Sequence, residues 1–349
     1  MIKLHGSGKV GIRMKINRVS LSNFLTFTGN SVDGSFCEDF NEGMNVIIGA
    51  NATGKSTLLK CIYAACEFSN EYSNPNKAKK FQNYFSASEN AIKDINQKQS
   101  DSFGLVKVFS GEHEFHYRAW NGTFVNLGDW LSLGIKSVLI PPTEMLSHSK
   151  GLVAMSSKYG VPFDHTQMDI LVNAQLWETK EISERNKLLL DKLGAAIDGE
   201  VIYENDTFYI VKLNGLKVEY SLEADGFKRI GLLWKLIRNG LLESGTILLW
   251  DEPESSVHPE FMHLIVEVLH ILAQNGVQIF IATHSYAFAK YLDIMKKSDN
   301  DILFISLYKE GNTVKSSTAN SYSSLKNNAI EASEEKLYEA VVENALEDM

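Results

Sequence analysis

Apolar residues along this chain gather into two kinds of run, and the difference between them predicts the architecture. Five short stretches are apolar at nearly every position: the residues around Val46, Ser137 to Ile140, Thr246 to Trp250, Gln278 to Ala282, and Ile302 to Leu307. Strands covered on both faces carry such continuous runs, so these five predict a buried, mostly parallel sheet. At 16–21, 105–109, 114–118 and 124–127 apolar and polar positions alternate instead. That is the period of a half-buried strand, and it predicts an antiparallel β-subdomain beside the main sheet. Val201 to Tyr203 and Phe208 to Tyr220 predict a second hairpin, turning at Asn205 and Asp206 and again near Asn214 and Gly215.

Helices are marked by spacings of three and four. The run LLKCIYAAC predicts one directly after the first strand of the main sheet. An insertion over 67–101, rich in Asn, Ser and Lys, reads as a solvated excursion. A second insertion, within 147–200, places Ile170, Leu171, Ala174, Trp177, Leu188, Leu189 and Leu193 at helical spacing and predicts a packed lobe. The stretch 311–349 ends in an acidic helix with Leu337, Tyr338, Val341, Val342 and Ala345 on one face, expected to pack on its own domain. Residues 1–13 read as an extension before a head spanning 14–310, with Met14 as a candidate start.

Four of the five predicted core strands end in residues with chemical uses: Gly49, the turn Pro141 to Glu144, Asp251 and His284. Open α/β sheets bind ligands beyond the carboxyl ends of their strands, so the four ends predict one shared site. The run Gly49, Ala50, Asn51, Ala52, Thr53, Gly54, Lys55, Ser56, Thr57 has the spacing of a phosphate-binding loop between a strand and a helix. Its glycines let successive N–H groups face a phosphate, and the helix adds the positive end of its dipole. Lys55 is expected on the outer phosphates of a nucleoside triphosphate, and the Ser56 hydroxyl on magnesium. Asp251 is expected to hold that magnesium through water, and Glu252 to polarise an attacking water. His284, past the next strand, is placed to contact the outermost phosphate or that water.

Composition narrows the class without deciding it. The 349 residues are 44% hydrophobic, enough for a large core, and the formal charge of −9 gives no global basic footprint for nucleic acid. A local basic patch stays compatible with that charge, so contact with nucleic acid is left open. Cys37, Cys61 and Cys66 lack metal-ligand spacing and read as reduced core thiols. With no run long enough to span a bilayer and no secretion-type leader, the expected location is the cytoplasm, away from membranes.

Together NVIIGANATGKST, TILLWDEPESSVHPE and IFIATHS resemble the ABC-class ATPases, in the soluble branch of RecF, SMC-type and OLD-type heads, over about 14–307. The resemblance implies an α/β fold: an ABC-type P-loop head with a mostly parallel central sheet, an antiparallel β-subdomain and a helical insertion lobe. It also implies a magnesium-dependent ATPase in which two heads, here a homodimer, sandwich two nucleotides. Each head would offer the other a signature motif, for which Ala224, Asp225, Gly226, Phe227, Lys228 and Arg229 are the candidates. Ala224 stands where the family commonly has serine. Ser255, Ser256 and His258 are similar to the D-loop that crosses such an interface. The turn Pro141 to Leu146 is similar to the Q-loop region but lacks glutamine, leaving Thr143 or Glu144 as the metal or water contact. Phe24 matches the position used near adenine, although Leu25 and Thr26 replace the basic residue that often follows.

Such heads regulate or drive a partner, and the resemblance implies a separately encoded nuclease or toxin effector in bacterial defence or DNA repair. A nucleotide-gated scaffold with negligible turnover fits the same residues. A transporter nucleotide-binding domain fits less well, because no LSGGQ-type signature is present.

Overall fold

In a computed structural model, described here for residues 14–29, 35–70, 81–85, 104–118, 123–124, 127–159 and 163–347, the chain opens with an antiparallel ribbon. It comprises β1 (Arg18–Ser22) and β2 (Phe36–Asp39). Then β3 (Met44–Gly49) runs through the core into α1 (Lys55–Phe68). The ribbon is completed by β4 (Leu105–Ser110), β5 (His113–Arg118) and β6 (Thr123–Phe124), in the order β2-β1-β4-β5-β6. After β7 (Ser137–Ile140) come α2 (Leu152–Tyr159), α3 (His165–Gln175) and α4 (Glu184–Ile197). A three-stranded sheet of β8 (Gly199–Glu204), β9 (Thr207–Lys212) and β10 (Lys217–Glu219) follows, then α5 (Asp225–Arg238). The final third alternates β11 (Ile247–Asp251), α6 (Pro259–Gln274), β12 (Gln278–Thr283), α7 (Tyr286–Met295) and β13 (Ile302–Glu310), and closes with β14 (Thr313–Ala319) and α8 (Ala329–Glu347).

The central sheet has the order β14-β13-β3-β12-β11-β7, with five parallel strands and β14 antiparallel at one edge. All five parallel strands match predicted apolar runs. The runs are continuous because both faces are covered. Val46, Ile48, Leu248, Trp250, Ile279 and Ile281 point into a core shared with the helical lobe. Their alternates Ile47, Ile247, Leu249, Phe280 and Ala282 point into a second core under α1 and the ribbon. Register sets the carboxyl ends level: Thr283 lies opposite Ile48, and Asp251 opposite Ala282.

The second hairpin keeps both expected turns and so forms a three-stranded sheet, whose first turn places both Asn205 and Asp206 at positive φ, 52° and 59°, the geometry that matches strand twist. Several expectations change. β2 and β14 were not anticipated, because neither segment alternates cleanly. Much of 67–101 lies outside the described residues, but Phe81 and Tyr84 within it are buried in the ribbon core rather than solvated. Trp177 is 94% exposed in the loop after α3, and Leu188 is also exposed, so the lobe core is built from Ile170, Leu171, Ala174, Leu189 and Leu193 without them.

The largest correction concerns α8. Asn328 accepts from the N–H groups of Ile330 and Glu331, and Ile330 packs against the core. Beyond that first turn Leu337, Tyr338, Val341, Val342 and Leu346 are all more than half exposed, so this helix does not lay its apolar face on its own domain. No helix among the described residues is long and apolar enough to cross a membrane.

Candidate functional site

The loop after β3 is shaped by what surrounds it. Gly54 has φ 97°, and a Cβ there would lie 2.7 Å from the Phe27 ring and the Thr26 hydroxyl. At Gly49 a Cβ would come within 2.5 Å of the Leu307 carbonyl on β13. Only glycine fits at either place. Because the α1 N-cap makes no side-chain bond and the first turn holds no acid, its N–H groups keep no competing side-chain acceptor. Such a terminus is an anion site. Lys55 is buried at 8% exposure, and its ammonium donates to Gly49 O at 2.7 Å and Ala50 O at 3.1 Å. Burial pushes its pKa down, against the pull of Asp251, Glu252 and Glu254.

Those three acids stand at the end of β11. Asp251, 4% exposed, lies beside the Ser56 hydroxyl. Burial raises its pKa, while Ser56 and Lys55 oppose that rise. Glu252 has a left-handed backbone, φ 53°, and its N–H donates to Ala282 O at 2.8 Å. For a residue with a Cβ this conformation costs roughly 1–2 kcal/mol, strain of the kind that collects at functional sites. It turns the chain so that Glu252 Oε1 lies 3.2 Å from His284 Nδ1.

Two family models match the chain in this region. One described as "AAA domain" covers residues 18–136, including the phosphate loop. One described as "AAA domain, putative AbiEii toxin, Type IV TA system" covers 173–289, including Asp251, Glu252 and His284. The phosphate loop, the two acids and the histidine thus meet at one rim of a mostly parallel sheet, within matched segments. Both matched segments are described as AAA domains, and they share one α/β unit built on a mostly parallel central sheet.

Among curated relatives, the glutamine transport ATP-binding protein GlnQ of Bacillus subtilis (strain 168) is 35% identical over 54 residues, which are 16% of this chain and 22% of that protein. Among solved structures, an SMC head bound to the C-winged helix domain of ScpA has a TM-score of 0.49 at 14% identity, covering 88% of this chain and 98% of the other. The SMC head domain from Thermotoga maritima has a TM-score of 0.45 at 14% identity, covering 87% and 98%. A nucleotide-free ATP-binding cassette from an ABC transporter has a TM-score of 0.42 at 14% identity, covering 90% and 95%.

Other expected parts of the ABC-type head are placed unevenly. The signature segment opens α5 with Ala224 as an N-cap that makes no side-chain bond; Ala224 and Asp225 are exposed. A Cβ on Gly226 would lie 3.3 Å from Ser256 O, so the start of α5 rests on the D-loop. In that loop Ser256 is exposed at φ 61°, Ser255 is half-buried, and exposed His258 caps α6 by accepting from the Glu260 N–H at 3.3 Å. Lys228 is buried and bonded to Asp225 at 3.0 Å.

Three expected contacts are not where the sequence placed them. Arg229 is 4% exposed and donates to the carbonyls of Pro141 and Pro142 in its own chain, which takes it away from any second copy. Glu144 accepts from the N–H groups of Leu146 and Ser147 with both oxygens engaged, a turn cap rather than a metal ligand. Phe24 is fully buried against Phe85 and Phe81, so no face is left for adenine. Sequence reasoning missed Glu254 and Thr283, both buried at the rim and bonded to each other at 2.6 Å. The available signal was a third acid inside a turn that has to be buried.

Proposed function

We propose that this protein is a magnesium-dependent ATPase head that closes into a homodimer around ATP and regulates a separately encoded effector, a nuclease or toxin, in the bacterial cytoplasm. The observation that carries this reading is the 3.2 Å contact of Glu252 with His284 at the rim that also holds the Ser56–Asp251 pair. With ATP bound, Lys55 would move from the Gly49 and Ala50 carbonyls to the outer phosphates. Ser56 and Asp251 are oxygen donors suited to magnesium, which would neutralise phosphate charge. Glu252 would take a proton from water as the new phosphorus–oxygen bond forms and the bond to the bridging oxygen breaks. His284 would hold the outermost phosphate.

In the dimer the start of α5, where Ala224 and Asp225 are exposed, would face the partner's phosphates beside Ser255 and Ser256. The matched description naming a toxin of a toxin–antitoxin system agrees with a defence role, and DNA repair remains the other role of this kind of head. Steady-state phosphate release with magnesium and ATP tests the reading. Turnover lost in Lys55→Ala, together with a dimer mass that appears only with ATP, supports it; a wild type without turnover rejects the enzyme.

One observation favours a second reading, a nucleotide-gated scaffold. Ala224, at the N-cap of α5 where the signature serine is expected, brings no hydroxyl to a dimer. A wild type and a Glu252→Gln variant that both dimerise with ATP and turn over equally slowly would select it.

A further inference from the structure

Glu254 is the rim carboxylate to which the proposed hydrolysis assigns no task. The residue is 8% exposed. Its Oε1 accepts from the Thr283 hydroxyl at 2.6 Å and from the His284 N–H at 3.3 Å. The Thr283 oxygen in turn accepts from the Ser285 N–H at 3.0 Å, so three consecutive residues leaving β12 hang from one carboxylate oxygen. The other, Oε2, is buried without a hydrogen-bond partner among the described residues. A pocket of about 590 Å³ opens beside it, bordered by Ser256, His284 and Tyr286.

A buried carboxylate with one unsatisfied oxygen costs stability, so the fold alone gives little reason for it here. What the arrangement achieves is placement. His284 Nδ1 lies 3.2 Å from Glu252 Oε1 and 3.9 Å from Glu254 Oε1. Because Glu254 belongs to the same turn as Glu252, the clamp ties the histidine and the general base to one short piece of backbone. We infer that Glu254 is a positioning residue, which holds the His284 ring against Glu252 through the Thr283 hydroxyl and the His284 N–H. The inference rests on the proposed hydrolysis for its effect on rate, but not for its effect on the ring. Misplacing a catalytic group by about 1 Å can cost roughly a hundredfold in rate.

The test uses the full chain with Glu254→Ala, Glu254→Gln and Thr283→Val. Glutamine keeps an oxygen that accepts both bonds, whereas alanine and valine each remove one side of the clamp. Alanine and Thr283→Val are expected to lower kcat by about ten- to a hundredfold while KM and ATP affinity stay within about twofold. Glutamine is expected to keep kcat within about threefold of wild type. In spectra of histidine labelled at ¹³Cε1, the His284 signal, assigned with His284→Gln, should move in Glu254→Ala and Thr283→Val and stay in Glu254→Gln.

A folded, ATP-binding Glu254→Ala that turns over at the wild-type rate overturns the inference. So does a glutamine variant as slow as alanine with an unmoved His284 signal. Should Glu254→Ala fail to fold, Thr283→Val and Glu254→Gln decide on the same readouts. If the wild type does not hydrolyse ATP, the hydrolysis reading fails separately, and the His284 signal of Thr283→Val alone decides: moved supports the clamp, unmoved rejects it.

Discussion

The two ends of the central sheet bury polar groups by opposite rules. At the amino end the buried groups are neutral amides with every bond made. Gln278, fully buried, donates to Ile16 O and Asn41 O and accepts from the Ile16 N–H. Asn45, also fully buried, accepts from the Asn41 N–H and donates to Asn41 O. At the carboxyl end the buried groups are Lys55, Asp251 and Glu254, with burial pushing each toward its neutral form and one oxygen left unbonded. Left-handed backbone at Ala52, Glu252 and Ser256 gathers there too. Satisfied neutral groups stabilise the fold; unsatisfied charged ones stand ready for a charged ligand.

That contrast can be broken from either side. The largest expected effect is on rate: Glu252→Gln should lower kcat by about 10²- to 10⁴-fold with ATP affinity retained, measured by phosphate release and calorimetry. Next comes stability at the other end. Gln278→Ala leaves buried partners of three hydrogen bonds unsatisfied and should cost about 3 kcal/mol in denaturant unfolding, while the folded fraction keeps its kcat.

Asp251→Asn should have the reverse sign. Because burial raises the carboxyl pKa, the folded state favours the protonated form, and the penalty grows as pH rises through the folded pKa. The variant should therefore melt a few degrees higher than wild type at pH 7 without nucleotide, and the gap should close toward pH 4. Turnover should be lost. A lower melting temperature at pH 7 would show that Lys55 outweighs burial.

The smallest effect concerns His270, 6% exposed on α6 and held below its ordinary pKa by burial. A depressed folded pKa gives stability present above about pH 6.5 and lost as pH falls through the folded value. His270→Gln, which keeps a donor, should flatten this acid limb of melting temperature against pH.

The carboxyl end was far more legible in the sequence than its surroundings. Gly49, Lys55, Asp251 and His284 could be read because strand ends in a parallel sheet fall at fixed places relative to apolar runs, and each carries a distinctive residue type. Phe24 and Arg229 were misread because burial is decided by remote partners: Phe85 for one, the Pro141 and Pro142 carbonyls for the other. Local spacing holds no record of either. Glu254 was visible as an acid, but its bond to Thr283 spans 29 positions and depends on the neighbouring registers of β11 and β12.

The protruding end of α8 has a colloidal consequence. Leu337, Val341 and Val342 stand in water beside Glu335, Glu339 and Glu343, so like charge keeps neighbouring molecules from sharing their greasy row at neutral pH. As acid approaches the isoelectric point near 5.6, that mutual repulsion fades before the row itself changes. The same side chains then become adhesive, and the protein acquires a built-in tendency to clump.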